Sequence, residues 1–181
     1  MNIDDFTAAA TDAVARASRL CAAVQKRLTQ SDAVEKDDRS PVTIADFGSQ
    51  AVVARALAAA TPDIPLVAEE DAAALRAGGA ADIRARVLAF VREDVRDIAE
   101  NAMLDAIDHG AASPPAGAPF WTLDPIDGTK GFLRGDQYAV ALALIEDGSI
   151  HLGILGCPNL PLDADSPDGP RGCLFVARRG A

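Results

Sequence analysis

At 181 residues and a net charge of −10, the chain is long enough for one domain with a substantial core and carries no basic excess to neutralise nucleic-acid phosphates. Hydrophobic residues make up 49% and charged residues 24%, ordinary for a globular protein, and no stretch reaches the roughly 20 apolar residues that cross a bilayer. The acidic start, Met1-Asn2-Ile3-Asp4-Asp5, is unlike a secretory signal or an Arg-rich transit peptide. The expected compartment is therefore the cytoplasm, with neither membrane nor nucleic acid as partner.

Ile3, Phe6, Ala10, Val14, Ala17, Leu20, Val24 and Leu28 recur every three or four positions, which predicts an amphipathic helix over residues 3–30. Residues 31–42 are polar and end at Pro41, as a loop or short hairpin. Thr43 and Asp46 have the spacing of a helix capping signal, and Val52, Val53, Ala56 and Leu57 continue a second helix over 45–60 that Pro62 and Pro65 stop. Leu66-Val67-Ala68 reads as a short buried strand delivering Glu69 and Glu70, and residues 71–79 as a loop. Ile83, Val87, Phe90, Val91, Val95 and Ile98 define a third helix that extends towards Ile107. After a Gly- and Pro-rich loop over 110–119 comes a strand from Phe120 to Leu123. Tyr138 to Ile145, a turn at 146–149, and the alternating Ile150, Leu152 and Ile154 read as a β-hairpin. Residues 158–171 are expected as a surface loop and Leu174 to Ala177 as a last strand. The fold class is α+β.

The chemistry concentrates in Trp121-Thr122-Leu123-Asp124-Pro125-Ile126-Asp127-Gly128-Thr129. A buried strand ends in two aspartates, a proline that restricts the backbone and a glycine that opens a turn closed to other residues. Two stiffly held carboxylates with a hydroxyl close by suit a hard divalent cation that prefers oxygen ligands. Asp and Gly are also common turn formers, so on this motif alone a plain turn is the better reading. Cys21, Cys157 and Cys173 are odd in number and lack zinc spacing; Cys21 reads as a core residue and the other two as free thiols that could pair on oxidation. His109 and His151 have no partners at ligand spacing.

Three segments in order carry a family likeness: Ser40-Pro41-Val42-Thr43-Ile44-Ala45-Asp46, Leu66-Val67-Ala68-Glu69-Glu70-Asp71, and the Trp121 motif with its extension from Gly131 to Leu142. They resemble the inositol monophosphatase superfamily of magnesium-dependent, lithium-sensitive phosphomonoesterases, and within it the 3'(2'),5'-bisphosphate nucleotidase branch. The resemblance covers about the first half of a family member. It implies an N-terminal metal-binding α+β domain over residues 1–181, long helices on a mostly antiparallel sheet, without the family's C-terminal α/β domain and its metal-binding aspartate.

It further implies that Glu69, Asp124, Asp127 and the Ile126 carbonyl hold Mg2+, two or three ions in a complete site. By the same likeness, Asp46 and Thr129 activate the attacking water and the Gly128 and Thr129 amides face the phosphate. Glu70 is either a supporting group or a solvated strand end, Lys130 a weak addition of positive charge, and Lys36 a residue of a solvated loop. The implied activity is hydrolysis of the 3'-phosphate of adenosine 3',5'-bisphosphate, a small-molecule nucleotide. The alternatives are an inositol phosphate phosphatase or a non-catalytic metal-binding fragment. A sheet without its covering domain is expected to favour self-association.

Overall fold

Helix α1 (Ile3–Arg27) forms where the apolar stripe predicts it, and Phe6, Ala10, Val14, Ala17, Leu20 and Val24 are all buried. The computed structural model describes residues 3–27, 33–35, 41–166 and 168–180; Leu28, Lys36 and Ser40 lie outside these, as does the side chain of Thr43 on which the capping signal rests. Short strands β1 (Ala33–Glu35) and β2 (Pro41–Thr43) pair antiparallel, the expected hairpin. Helix α2 (Ile44–Ala60) then runs across α1. Every residue of α2 from Ile44 to Ala54 is buried, because α1, the sheet and two later helices surround it. A helix enclosed on all sides has no exposed face to make polar.

The sheet is built from β3 (Leu66–Ala68), β4 (Phe120–Asp127), β5 (Ala139–Glu146), β6 (Ser149–Pro161) and β7 (Arg171–Arg178), in that spatial order. Only β3 and β4 are parallel; the other neighbours are antiparallel, as the mostly antiparallel expectation has it. Trp121, Leu123, Val140, Leu142, Leu144, Leu152 and Ile154 alternate inward beneath α1 and α2. Gly156 on β6 is needed for this packing, since a β-carbon there would run into Ser18 and come within 2.9 Å of Val14. The opposite face of β6 and β7 is uncovered among the described residues, where the paired Leu155 and Phe175 are each about half exposed; Leu174 and Val176, on the α1 side of the edge strand, are exposed to a similar degree. No helix among the described residues is long and apolar enough to cross a membrane.

The structure differs from the sequence expectation in five places. The third helix is two, α4 (Ala81–Asp94) and α5 (Glu100–Asp108). The chain leaves helical geometry at Val95, and the Arg92 guanidinium donates twice to the Ile98 carbonyl, both at 3.1 Å, which holds the corner. Ile98 stays buried through the corner, so the apolar periodicity continues while the axis turns. The loop at 71–79 contains a single helical turn, α3 (Ala73–Arg76). Strand β4 continues through the motif to Asp127. Strand β6 runs to Pro161: its pairing with β5 ends at Gly156, so Pro158 and Pro161 lie where the ladder is one-sided and a missing N–H is tolerated. Ile150 is exposed although Leu152 and Ile154 are buried, because the β5–β6 register shifts between them.

The three thiols are free; Cys21 is buried, and Cys157 and Cys173 sit directly opposite one another across β6 and β7. His109 is exposed and His151 half-buried.

Trp121, the single tryptophan, is fully buried, edge-on to Phe6, and its indole N–H donates to Thr61 Oγ1 at 3.0 Å. Replacing Thr61 by Val keeps the shape and leaves that N–H without an acceptor. The expected loss is about 1–3 kcal/mol of unfolding free energy, read by urea denaturation on Trp121 fluorescence. An unchanged midpoint would mean that the hydrogen bond does not hold the strand.

Candidate metal-binding edge of the sheet

Parallel pairing sets Leu66 against Trp121, Val67 against Thr122 and Ala68 against Leu123. The next residues, Glu69 and Asp124, therefore leave neighbouring strands at the same edge. Glu69 is exposed there, whereas Glu70 turns inward and is 5% exposed. Along β4 the pairing with β5 skips from Asp124 to Asp127, opposite Ala141 and Ala139, so Pro125 and Ile126 form an irregularity with their side chains buried. This anchors the backbone between two aspartates, the first half-buried and the second exposed. The Ile126 N–H donates to Asp124 Oδ1 at 3.1 Å, which orients that carboxylate.

Gly128 takes φ 89°, ψ 40°, a left-handed geometry that favours glycine, and turns the chain into the short helix α6 (Thr129–Arg134). The Thr129 hydroxyl donates back to the Ile126 carbonyl at 3.1 Å. Asp124, Ile126, Asp127, Gly128 and Thr129 thus share one strand-to-helix turn.

Asp46 lies in the first turn of α2 and is 2% exposed. Three and four residues on, the same helix carries two more buried polar side chains that the sequence reading passed over. Ser49 donates to the Pro125 carbonyl at 3.2 Å, between the two aspartates. Gln50 binds the strand end after β3: its amide donates to the Glu70 carbonyl at 2.6 Å and to the Ile107 carbonyl at 2.7 Å, and its oxygen accepts the Glu70 N–H at 3.0 Å. Both donors and the acceptor of the amide are used, which allows one orientation only. Gly110 makes room, since a β-carbon there would lie 2.6 Å from Gln50 Nε2 and 2.7 Å from Ala68 Cβ. Two polar residues in the middle of the apolar run from Ile44 to Leu57 were the signal available in the sequence.

Burial pushes the Cys21 thiol up, and the nearby Asp46 charge adds to it, so a neutral thiol sits beside the carboxylate. The Cys157 thiol is raised by burial, then by Cys173, then by the charge of Asp127. Beyond Glu70, the loop is fastened by Asp108 at the end of α5, which accepts the Ala72 N–H at 2.8 Å and the Arg76 guanidinium at 2.8 Å. Partial burial opposes ionisation of Asp108, but the bonds from Arg76 and Ala72 outweigh it and hold the carboxyl below its ordinary value.

The donor set at this edge consists of oxygen atoms throughout, the kind a hard cation prefers. Among the described residues, however, no group of three or more His, Cys, Asp or Glu side chains is placed to hold a metal ion. Glu69, Asp124 and Asp127 share an edge without closing around one point.

The model of the inositol monophosphatase family matches residues 2–180. The chain is 46% identical to 3'(2'),5'-bisphosphate nucleotidase 1 of Arabidopsis thaliana, over 96% of this chain and 54% of that protein. It is 48% identical to a 3'(2'),5'-bisphosphate nucleotidase of Oryza sativa, over 96% and 53%, and 42% identical to that of Schizosaccharomyces pombe, over 99% and 54%. It spans about half the length of these curated relatives. Among solved structures, extragenic suppressor protein suhB from Bartonella henselae has a TM-score of 0.56 at 20% identity, covering 94% of this chain and 47% of that one. A Thermotoga maritima IMPase has 0.55 at 18%, covering 100% and 50%. At these identities the likeness is one of fold.

Replacing Gln50 by Leu strips three buried backbone groups of their partner, and a loss of roughly 2–4 kcal/mol in urea denaturation is expected. Faster hydrogen exchange at the Glu70 amide should accompany it; a change below about 0.5 kcal/mol would rule out the clamp. Asp108, depressed in the fold, contributes stability above its ordinary value of 3.8 that is lost as pH falls through its lower folded value. Asp108→Asn should accordingly flatten the acid limb of a stability–pH curve, and an unaltered limb would show that the acid sensitivity resides elsewhere.

Proposed function

The chain belongs to the inositol monophosphatase family, and on that footing we propose that it carries the metal-binding half of a phosphatase that releases the 3'-phosphate of adenosine 3',5'-bisphosphate. Membership of the family implies metal-ion dependence, generally on Mg2+. The observation that carries the reading is the parallel β3–β4 pairing, which brings Glu69 to the same edge as Asp124 and Asp127. The names of the relatives in three organisms support the nucleotide substrate.

Glu69, Asp124, Asp127 and the Ile126 carbonyl would hold the metal, as an oxygen set that is part of a site and not the whole of one. Bound there, Mg2+ supplies charge neutralisation for the phosphate and a lowered pKa for a nucleophilic water. The Ile126 carbonyl already accepts the Thr129 hydroxyl, and its second lone pair remains compatible with a cation. With the Thr129 proton engaged in this way, its oxygen can accept a hydrogen bond from a water molecule and so orient it. Once the Thr129 hydroxyl turns from Ile126 towards Asp46, the water gives its proton to the threonine oxygen as the threonine passes its own to the Asp46 carboxylate, held still inside α2. The Gly128 and Thr129 amides face the phosphate oxygens.

Burial of Ser49 and Gln50 keeps α2, β4 and the strand end after β3 at fixed separations, which orients the water against the ester. The exposed outer face of β6 and β7 favours contact with a second copy, so the chain is expected to self-associate at high concentration.

Magnesium-dependent phosphate release by the purified chain tests the reading, with adenosine 3',5'-bisphosphate and inositol 1-phosphate as competing substrates and Asp127→Ala as control. The expected result is release from the nucleotide that falls at least about a hundredfold in the variant. Preference for the inositol ester would replace the substrate. Tight Mg2+ binding with no release from either would make the chain a non-catalytic metal-binding piece.

A further inference from the structure

Beside the Gly128 turn lies an open cavity of about 640 Å3 between α6 and the start of β7. Its cationic groups are Lys130, Arg134 and Arg171, and its one carboxylate is Asp136. In a chain with a net charge of −10, that is a local excess of the opposite sign. Gly128, Gly131 and Gly135 line the same space, so backbone is approachable there as well. We propose that this cavity, which adjoins the reacting position at Gly128, binds a phosphate or sulfate group outside that position through its cationic side chains, without drawing on Glu69, Asp124 or Asp127.

The walls are tied together and do not rest on side-chain chance. Asn159 of β6 joins the segments: its carbonyl accepts Gln137 Nε2 at 2.8 Å and Arg171 Nη1 at 3.3 Å. Its amide donates to the Asp136 carbonyl at 2.7 Å and to Gln25 Oε1 at 3.1 Å. Gln25, from α1, donates in turn to the Phe132 carbonyl at 2.8 Å inside α6. The two arginines therefore come from distant parts of the chain yet face one space. A tetrahedral oxyanion with two charges is what guanidinium forks and an ammonium group recognise together.

Existing contacts leave the charges of Lys130 and Arg134 available. Arg134 pairs with Asp136 at 3.1 Å, but both side chains are mostly exposed, and such a pair is weak and readily exchanged. Lys130 makes no ion pair among the described residues. None of Glu69, Asp124 and Asp127 lines the cavity, so binding here needs no metal.

The test is a titration of the chain with inorganic phosphate, then sulfate, without Mg2+ at low ionic strength, followed through backbone amide shifts. Saturable shifts at Gly131 and Gly135 are expected. Lys130→Gln and Arg134→Gln should each weaken binding roughly three- to tenfold, and Asp136→Asn should tighten it. Arg96→Gln, an exposed change of equal charge far along the chain, should leave affinity within about twofold. AMP separates the sources: equal affinity for AMP and inorganic phosphate assigns a free anion, and tighter AMP assigns a phosphate ester, either being a form of the proposed ligand. Absence of saturation, an Arg96→Gln loss as large as that of Arg134→Gln, or weaker binding in Asp136→Asn would overturn the proposal. Failure of the phosphatase assay would not bear on it.

Discussion

A buried amide has to find partners for two donors and one acceptor, and in this protein Gln50 finds them in the backbone on either side of α2. That requirement fixes the distance from the helix to the strand end after β3 and to the end of α5. Ser49, one residue earlier, fixes the distance to β4, and Asp46 rides on the same turn. Three segments with no reason to stay in register are held by one helix whose first eleven residues are closed to water. Leaving any of these polar groups without a partner would cost more than a typical surface interaction contributes, so the arrangement is strongly specified.

Much of this was legible in the sequence, for physical reasons that differ between elements. The stripe of α1 was readable because a helix exposed on one side must separate apolar from polar residues. The β5–β6 turn was readable because Asp147 and Gly148 both take positive φ, a demand few residues meet. The strand-to-turn character of residues 121–129 was readable because Pro125 and Gly128 restrict the backbone in opposite ways. The family likeness rested on this turn with its extension and on residues 40–46 and 66–71, and the family model extends it over residues 2–180.

Other features were hidden because their cause lies far away in the chain. The corner between α4 and α5 keeps Ile98 buried, so the periodicity shows no break. The end of β6 looks like a loop from its prolines and becomes a strand only because β7 supplies the pairing. Gln50 resembles any surface glutamine until the carbonyls of Glu70 and Ile107 are placed beside it. The Asn159 junction likewise depends on residues from α1, the end of α6 and β7. A one-dimensional pattern records what each residue needs, but not which remote group meets the need.

The sheet's connectivity also bears on the order in which the protein assembles. Strands β4 to β7 follow one another as antiparallel neighbours, and the tight turn at Asp147 and Gly148 closes the β5–β6 pair at little entropic cost. The β3–β4 pair is different: it is parallel, and its partners are separated by three helices of intervening chain. Contacts between distant segments must overcome loop closure before they are rewarded, so this pairing is expected to form late. The edge where Glu69 meets Asp124 would then be created by the last step of folding. In a cell, a chain that has formed only its meander would carry the aspartate turn without its glutamate, and binding at that edge would select the molecules that have finished.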